Sequence, residues 1–245
     1  MRRATHELVG AGRAPRAGRG LTGLVGGLVL LGAVPLALGQ AGGPTLFVAN
    51  NGNLEGSVSA MAIEPDGSVS LINRVITGTR PNTSTPCSGC NPYEIALSPG
   101  GLYLATGHAS GTNVIEQITI YKVAADGSVS FVMAEPIAAT PMDVAWVSDE
   151  LLVATMVDPV PNVLTLLRFN PTVPSLTLVD SKPVGSFSTY VAVHPSRQYV
   201  YVNDSGSARM LRAFRVEAND TLTLIDSEYT GSYYNLELTV THDGT

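Results

Sequence analysis

The sequence is poor in the residues on which several classes of protein depend. Its 245 residues include two cysteines, one tryptophan and five phenylalanines, and only 14% of them are charged. Two cysteines cannot supply the four ligands of a structural zinc site. So few large aromatic rings argue against a wide stacking platform. The Gly-x-Ser-x-Gly, P-loop and His-Glu-x-x-His motifs are also missing, and with them the usual signals of three enzyme and nucleotide-binding classes.

Residues 1–41 have the layout of a secretory signal peptide. Five arginines and one glutamate precede an uncharged run from Leu21 to Gly39, and small residues follow it. The run approaches the length that spans a bilayer, so an uncleaved anchor is the alternative. Its glycines and Pro35 favour cleavage. We therefore predict an exported protein, periplasmic or extracellular, whose domain covers residues 42–245 and has no membrane contact once the signal is removed.

Basic residues are scarce in the predicted mature part. Removing residues 1–41 leaves nine Lys and Arg against 19 Asp and Glu, a net charge of −10 with neutral histidines. No cluster of Lys or Arg remains. This balance excludes nucleic acid and anionic membranes as favoured partners. It suits cations, sugars or cationic protein surfaces.

One phrase recurs through the chain at intervals of about 48 residues. It reads NPYEIALSPGGLYLATG, PMDVAWVSDELLVATM and STYVAVHPSRQYVYVND, and a shortened copy, NLELTVTHDGT, closes the sequence. The small residue in the first strand of each copy falls at spacings of 49, 47 and 47: Ala96, Ala145, Ala192 and Thr239. Such regular recurrence indicates a repeat architecture.

A hairpin recurs with the same period, and its second arm begins with an aliphatic residue: Val69, Val129, Leu176 and Leu222. Asp-Gly at 66–67 and 126–127 suits a turn that needs positive φ. Each unit holds four short strands of alternating polarity, and no apolar stripe at helical spacing follows residue 41. The sequence therefore predicts an all-β protein, a β-propeller of four-stranded antiparallel blades with the alanine strand nearest the axis.

These residues also carry a family resemblance. The phrase P-x-x-I-A-L-S-P-G-G-x-Y-L, followed by I-x-I-Y-K-V-x-x-D-G-S-V, resembles the lactonase superfamily of seven-bladed β-propellers, which includes 6-phosphogluconolactonase-like and YVTN-repeat proteins. The similarity covers residues 45–245. It implies a seven-bladed ring, whereas this chain holds a little over four repeats.

Two interpretations of the blade count are open. A four-bladed ring could close by pairing Leu236 to Val240 with the remaining strands of the first blade. Alternatively, the chain is truncated and belongs to a seven-bladed ring. We favour truncation, because open repeat arrays need caps and none is visible. An open arc would expose strand edges and apolar blade faces.

Acidic side chains recur just before each inner strand. The equivalent residues are Glu94, Asp143, Tyr190 and Glu237, which in a propeller face the same end of the central channel. Carboxylates converging there would form a calcium site of Glu94, Asp143 and Glu237, and without a cation they would raise one another's pKa. Solvated strand ends are the alternative interpretation. Three neighbours are predicted to add hydrogen bonds to a ligand: Asn91, Tyr93 and Asn235.

The resemblance implies His, Arg and Glu in the channel of active lactonases, often with a Pro-His pair ahead of the inner strand. Here those positions read Asn91-Pro92-Tyr93, Pro141-Met142 and Thr189-Tyr190. The leading hypothesis is therefore a noncatalytic binding or scaffold module whose partner at the channel face is a sugar, a lactone or a protein. The alternative is a 6-phosphogluconolactonase-like lactone hydrolase, a carboxylic ester hydrolase in which Glu94 or Glu237 with a raised pKa replaces the histidine base.

The only cysteines, Cys87 and Cys90, form a Cys-Ser-Gly-Cys motif in the loop that lengthens the first repeat. Redox chemistry of the thioredoxin type needs a helix after the first cysteine, and prolines and glycine surround this pair. Because export implies oxidation, we predict a local disulfide that staples this loop.

Overall fold

A computed structural model describes residues 43–108, 113–157, 162–231, 237–241 and 243–244, without the side chains of residues 188 and 189. The described residues form β-strands joined by turns and contain no helix. Within them, therefore, no helix has the length and apolar character needed to cross a membrane. The predicted signal peptide, residues 1–41, lies outside this part of the chain and stays a prediction.

The strands form four antiparallel sheets in chain order. The first sheet holds β1 (Thr45–Asn50), β2 (Glu55–Ile63) and β3 (Val69–Thr79). The second holds β5 (Pro92–Leu97), β6 (Tyr103–His108), β8 (Gln117–Val123) and β9 (Val129–Pro136). The third holds β10 (Thr140–Ser148), β11 (Leu151–Val157), β12 (Asn162–Asn170) and β13 (Ser175–Gly185). The fourth holds β14 (Ser188–Val193), β15 (Tyr199–Asp204), β16 (Met210–Val216) and β17 (Leu222–Tyr229). The short strands β4 (Cys87–Ser88) and β7 (Val114–Ile115) pair in parallel. The all-β, propeller-like architecture predicted from the repeat is confirmed.

The first strand of each four-stranded sheet is the one that carries the repeated alanine. Strand β10 contacts both β5 and β14, so these first strands lie next to one another. Ala96, Ala145 and Ala192 occupy equivalent register positions in them. Small side chains suit this place because neighbouring sheets approach one another most closely along these strands.

A β-bulge is repeated at one position in every sheet. Between the last two strands of each of the four antiparallel sheets, one extra residue of the last strand stands outside the register: Ile72, Val132, Val179 and Ile225. A bulge increases the local twist of a sheet. The repeat is therefore a repeat of strand register as well as of sequence.

Apolar clusters fill the spaces between consecutive sheets. One cluster joins the first and second sheets around Leu104 and Tyr121. Another joins the second and third around Trp146 and Phe169, and a further one joins the third and fourth around Phe214. Burial between sheets explains the repetition physically, because a single blade cannot cover both of its own apolar faces.

One expectation needs correction. The four-bladed alternative requires a strand from Leu236 to Val240, and its described residues, 237–240, form no strand. A strand needs a hydrogen-bonded partner, and none of the described strands pairs with this segment. The seven-bladed ring and the truncation stay predictions of the sequence.

The predicted disulfide between Cys87 and Cys90 is present, and both cysteines are buried. Its loop packs tightly on the first sheet. A Cβ atom on Gly56 would lie 2.0 Å from the carbonyl oxygen of Gly89, and one on Gly78 would lie 2.0 Å from that of Ser88. Only glycine permits such close backbone approach.

Replacing both Cys87 and Cys90 by serine is expected to lower the free energy of unfolding by about 2 kcal/mol, because the bridge closes a short loop. Urea unfolding of the double variant measures the loss. Wild-type protein in a reducing agent is the matched comparison and should lose a similar amount. An unchanged midpoint in both samples would mean that the packing of Gly56 and Gly78 holds the loop without the bridge.

Candidate functional site

A pocket of about 420 Å³ lies where the first strands of the sheets begin. Its lining brings together all four residues that the repeat places at equivalent positions, together with two apolar neighbours: Glu94, Asp143, Tyr190, Val191, Glu237 and Leu238. Strands β5, β10 and β14 each supply one polar side chain, and the segment 237–241 supplies the fourth. The sequence predicted this convergence from spacing, and the structure places the residues accordingly.

Asp143 is the most constrained carboxylate of the pocket. One carboxylate oxygen accepts the backbone amide of Val144 at 2.7 Å, and the other accepts the amide of Val191 in β14 at 2.8 Å. Burial and then the neighbouring charge of Glu94 raise the pKa of Asp143 to about 7, although the two amides act against this rise. Asp143 therefore ties the third sheet to the fourth and exchanges a proton near neutral pH.

Glu94 is half-buried beside Asp143. Burial, followed by the charge of Glu237, raises its pKa above the ordinary value. Glu237 itself is exposed at the rim. The pocket thus concentrates negative charge, and a ligand that donates hydrogen bonds or carries positive charge would relieve the repulsion.

Tyr190 supplies a hydroxyl to the same pocket. Burial and the neighbouring Tyr93 raise its pKa to about 12, so the phenol stays protonated and can donate a hydrogen bond. Its side chain is hydrogen-bonded to that of Tyr93, which is 40% exposed outside the lining. The backbone amide of Tyr190 donates to the Asn203 side chain at 3.0 Å, which holds the start of β14 in place.

Asn91, another predicted ligand contact, is not among the residues that line the pocket. Asn91 is buried in the left-handed region, with φ of 56°, and its backbone amide donates to Gly52 at 3.1 Å. It therefore shapes the turn between the disulfide and β5 and does not line the cavity. Asn235 lies outside the described residues.

The part of the chain that the structure describes contains no preformed metal site. Across the described ranges, no three His, Cys, Asp or Glu side chains are arranged to hold a metal ion. Glu94, Asp143 and Glu237 share one pocket without forming such a group. Calcium binding there stays a prediction of the sequence.

A buried polar network around His108 was not anticipated. The Nδ1 atom of His108 lies 2.8 Å from the carbonyl oxygen of Cys90, and Nε2 lies 2.9 Å from the hydroxyl of Thr119. Burial lowers the pKa of His108, which keeps the imidazole neutral. The alternation of Thr106 and His108 on β6, opposite Thr119 and Gln117 on β8, is the sequence signal that could have revealed it. The network holds the disulfide loop, and none of its residues is among those that line the pocket.

Several solved structures share this fold. The periplasmic gluconolactonase of Pseudomonas aeruginosa aligns with a TM-score of 0.60 and 20% identity over 76% of this chain and 55% of its own. A protein from Lactobacillus plantarum gives 0.61 and 13%, covering 82% and 59%. Hydrazine synthase of Kuenenia stuttgartiensis gives 0.60 and 14%, covering 83% and 65%. The chain thus spans less than two thirds of the length of each.

At these identities the likeness shows the fold alone, a propeller-like arrangement of four-stranded antiparallel sheets. A gluconolactonase and a hydrazine synthase are equally similar by TM-score, so the fold does not decide the activity. No protein family model matches the sequence, and no curated protein sequence matches it.

Proposed function

We propose that the pocket of Glu94, Asp143, Tyr190 and Glu237 binds a small polyhydroxylated molecule without an anionic group, such as a neutral sugar or its lactone. The observation that carries this proposal is the convergence of three carboxylates and one phenol on a single cavity of about 420 Å³. Carboxylates accept hydrogen bonds from sugar hydroxyls, and the phenol donates one. The volume lies within the range of small-molecule sites.

The charge of the lining narrows the ligand class. None of the described residues that line the pocket is Lys, Arg or His. A phosphate group needs charge-assisted hydrogen bonds from such side chains, and three carboxylates would repel it. A phosphorylated sugar lactone is therefore a poor candidate.

Lactone hydrolysis is the second candidate, and the raised pKa of Asp143 favours it. A carboxylate with a pKa of about 7 is an effective general base at neutral pH. Asp143 would take a proton from water as the water oxygen adds to the lactone carbonyl. The ring C–O bond then breaks, and the leaving oxygen takes the proton back to give the hydroxy acid. The similarity in fold to a protein named as a gluconolactonase supports this candidate without deciding it.

Export is part of the proposal. The buried disulfide fits an oxidising compartment, in agreement with the signal-like residues 1–41. A periplasmic or extracellular location would also expose the pocket to free sugars and lactones. It would keep the pocket away from the phosphorylated intermediates of the cytoplasm.

Calorimetric titration with glucose and with glucono-1,5-lactone tests the binding proposal. We expect both to bind the wild type, and Tyr190→Phe or Glu94→Gln to weaken binding about tenfold, because each removes one buried hydrogen bond. Asp66→Asn, in a turn away from the pocket, is the matched control and should bind normally. Absence of binding by the wild type would overturn the proposal.

The same samples separate the binder from the hydrolase. Lactone opening is followed as acid release and corrected for the spontaneous rate. If the protein is a hydrolase, Asp143→Asn should lower the rate at least 100-fold, consistent with loss of a general base. Lactone binding without acid release would leave the binding module as the function.

A further inference from the structure

A second cavity, of about 480 Å³, lies between the second and third sheets. Strand β9 and the loop that follows it form one wall, and strands β11, β12 and β13 form the other. Its described lining shares no residue with the pocket of Glu94 and Asp143. Most of that lining is apolar and includes Met156, Val163 and Leu167. The cavity therefore offers a separate, mainly hydrophobic surface between two four-stranded sheets.

The two neighbouring spaces between sheets are filled by polar side chains at the equivalent position. Thr119, Thr165 and Arg212 hold the same register position on the third strands of the second, third and fourth sheets. The hydroxyl of Thr119 lies 2.9 Å from Nε2 of the buried His108. The guanidinium of Arg212 donates to the carbonyl oxygen of Val184. Each of these two side chains has a partner within the protein.

Thr165 differs from both, because its hydroxyl has no hydrogen-bond partner among the described residues. The residue is only 7% exposed and lines the cavity. Buried hydroxyl groups are hydrogen-bonded in most proteins, and each can donate one hydrogen bond and accept others. An unsatisfied hydroxyl at the wall of a cavity points to a bound molecule as its partner.

Glu135 is the one charged side chain among the described lining residues, and it is half-buried. The strand register makes Lys182 its equivalent in the third sheet. Lys182 pairs at 3.1 Å with Asp180, two residues earlier, whereas Met133 stands two residues before Glu135. Within the described part of the chain, Glu135 has neither an ion pair nor a side-chain hydrogen bond. An unpaired carboxylate at the wall of an apolar cavity favours a cationic ligand.

The cavity also lies where a contact between sheets is missing. The side chain of Asn73 accepts the amide of Val129 at 3.0 Å, and that of Asp180 accepts the amide of Leu222 at 2.7 Å. These hydrogen bonds join the last strands of adjacent sheets. Leu176 is the counterpart of Val129 and Leu222, and it lines the cavity. Among the described residues, no side chain accepts its amide, because an apolar residue replaces the acceptor in β9.

We propose that the cavity between the second and third sheets binds a small amine that has an apolar body and a hydroxyl group. The ammonium group pairs with the Glu135 carboxylate, and the ligand hydroxyl is hydrogen-bonded to that of Thr165. The apolar body lies against Met156, Val163 and Leu167. Both unsatisfied groups of the wall then have partners, and the volume of about 480 Å³ is that of a small-molecule site. Binding here does not depend on the proposed sugar pocket.

Tyramine is the probe, because an apolar ring joins its ammonium group to a phenol. It is titrated into the full chain labelled at the methionine methyl groups, and two-dimensional NMR follows each methyl signal. We expect a saturable shift of the Met156 signal, assigned by Met156→Leu, and none at Met61 in the first sheet. Met142, beside Asp143, reports the acidic pocket, which also attracts cations. A shift at Met142 without one at Met156 would place the amine in that pocket and overturn the proposal.

Two related ligands separate the contributions of the polar groups. 2-Phenylethylamine, which has no hydroxyl, should bind the wild type about fivefold more weakly than tyramine, because one hydrogen bond is lost. 4-Hydroxyphenylacetate, which carries a carboxylate in place of the amine, should not shift the Met156 signal. Thr165→Val should lower the affinity for tyramine to that for 2-phenylethylamine. An undiminished preference for tyramine in Thr165→Val would contradict the hydrogen bond to Thr165.

Glu135→Gln should weaken tyramine binding about tenfold, because a charge-assisted hydrogen bond becomes a neutral one. Glu64→Gln makes the same chemical change in an exposed turn of the first sheet and is the matched control, with unchanged affinity. Circular dichroism verifies that both variants fold. Equal affinities of Glu135→Gln and the wild type, or an unmoved Met156 signal at millimolar tyramine, would refute the amine site.

Discussion

Trp146→Ala is expected to lower the free energy of unfolding by about 3 to 5 kcal/mol, the range for truncating a large buried aromatic side chain. Trp146 is 2% exposed in β10, and its ring lies 6.0 Å from Phe169 and 6.5 Å from Tyr103. Its indole N–H donates to the carbonyl oxygen of Ala96 in the second sheet at 3.1 Å. The substitution therefore opens a cavity between two sheets and removes a hydrogen bond that joins them.

Urea unfolding followed by far-ultraviolet circular dichroism measures this loss, because Trp146 is the only tryptophan and its fluorescence disappears with it. Trp146→Phe should lose less, since it keeps a ring and gives up the hydrogen bond. Val173→Ala, at a side chain 67% exposed, is the matched control and should stay within about 0.5 kcal/mol of the wild type. A loss below 1 kcal/mol for Trp146→Ala would contradict the packing between the second and third sheets.

Asp143→Asn is expected to become progressively more stable relative to the wild type as pH rises from 4 to 8. The pKa of Asp143 is raised from 3.8 to about 7 in the folded protein. Below pH 3.8 the carboxyl is protonated in both the folded and the unfolded state. The raised pKa then contributes nothing to the difference in stability between Asp143→Asn and the wild type. Between 3.8 and 7 the folded state holds a proton that the unfolded state has released, so the wild type loses stability with rising pH. At 1.36 kcal/mol for each pH unit, the difference between the two proteins changes by about 4 kcal/mol.

Urea midpoints of both proteins at unit pH steps, read from Trp146 fluorescence, give this difference directly. Any constant cost of the amide side chain cancels, because only the change with pH is compared. Asp66→Asn is the control, because hydrogen bonds from Ser68 lower the pKa of Asp66 from its ordinary value, the opposite direction to Asp143. Its difference from the wild type should be flat between pH 5 and 8. A flat line for Asp143→Asn would mean that the carboxyl is not desolvated.

Much of the candidate site could be predicted from spacing alone. Glu94, Asp143, Tyr190 and Glu237 recur at the repeat period, and a repeat places equivalent residues at equivalent points around a centre. Their convergence on one pocket follows from that geometry. The identity of their ligand cannot be predicted from the spacing. The distances between the carboxylates decide between a cation and a sugar, and these distances depend on the angles between the sheets. For example, the described residues include no group of three His, Cys, Asp or Glu side chains arranged to hold a metal ion, although the repeat spacing predicted a calcium site.

Other parts of the site were beyond sequence reasoning because they depend on contacts between distant segments. The amide of Val191 that reaches Asp143 is 48 positions away, and the raised pKa depends on burial that only packing creates. The partners of His108 are a carbonyl of the disulfide loop and a hydroxyl on β8, which are 18 and 11 positions away in the sequence. Asn91 was predicted as a ligand contact, but it lies with positive φ in the turn before β5 and does not line the pocket.

The amino-acid sequence by itself determined the strand-rich, repeated architecture, the disulfide and the set of residues at the ends of the first strands. Alternating polarity, turn residues and a fixed period are local properties that a chain displays before it folds. Tertiary structure alone decided which strands share a sheet, which faces stay uncovered and which carboxylate is desolvated. Those outcomes depend on burial between segments about 50 residues apart, and burial is a property of the packed molecule as a whole.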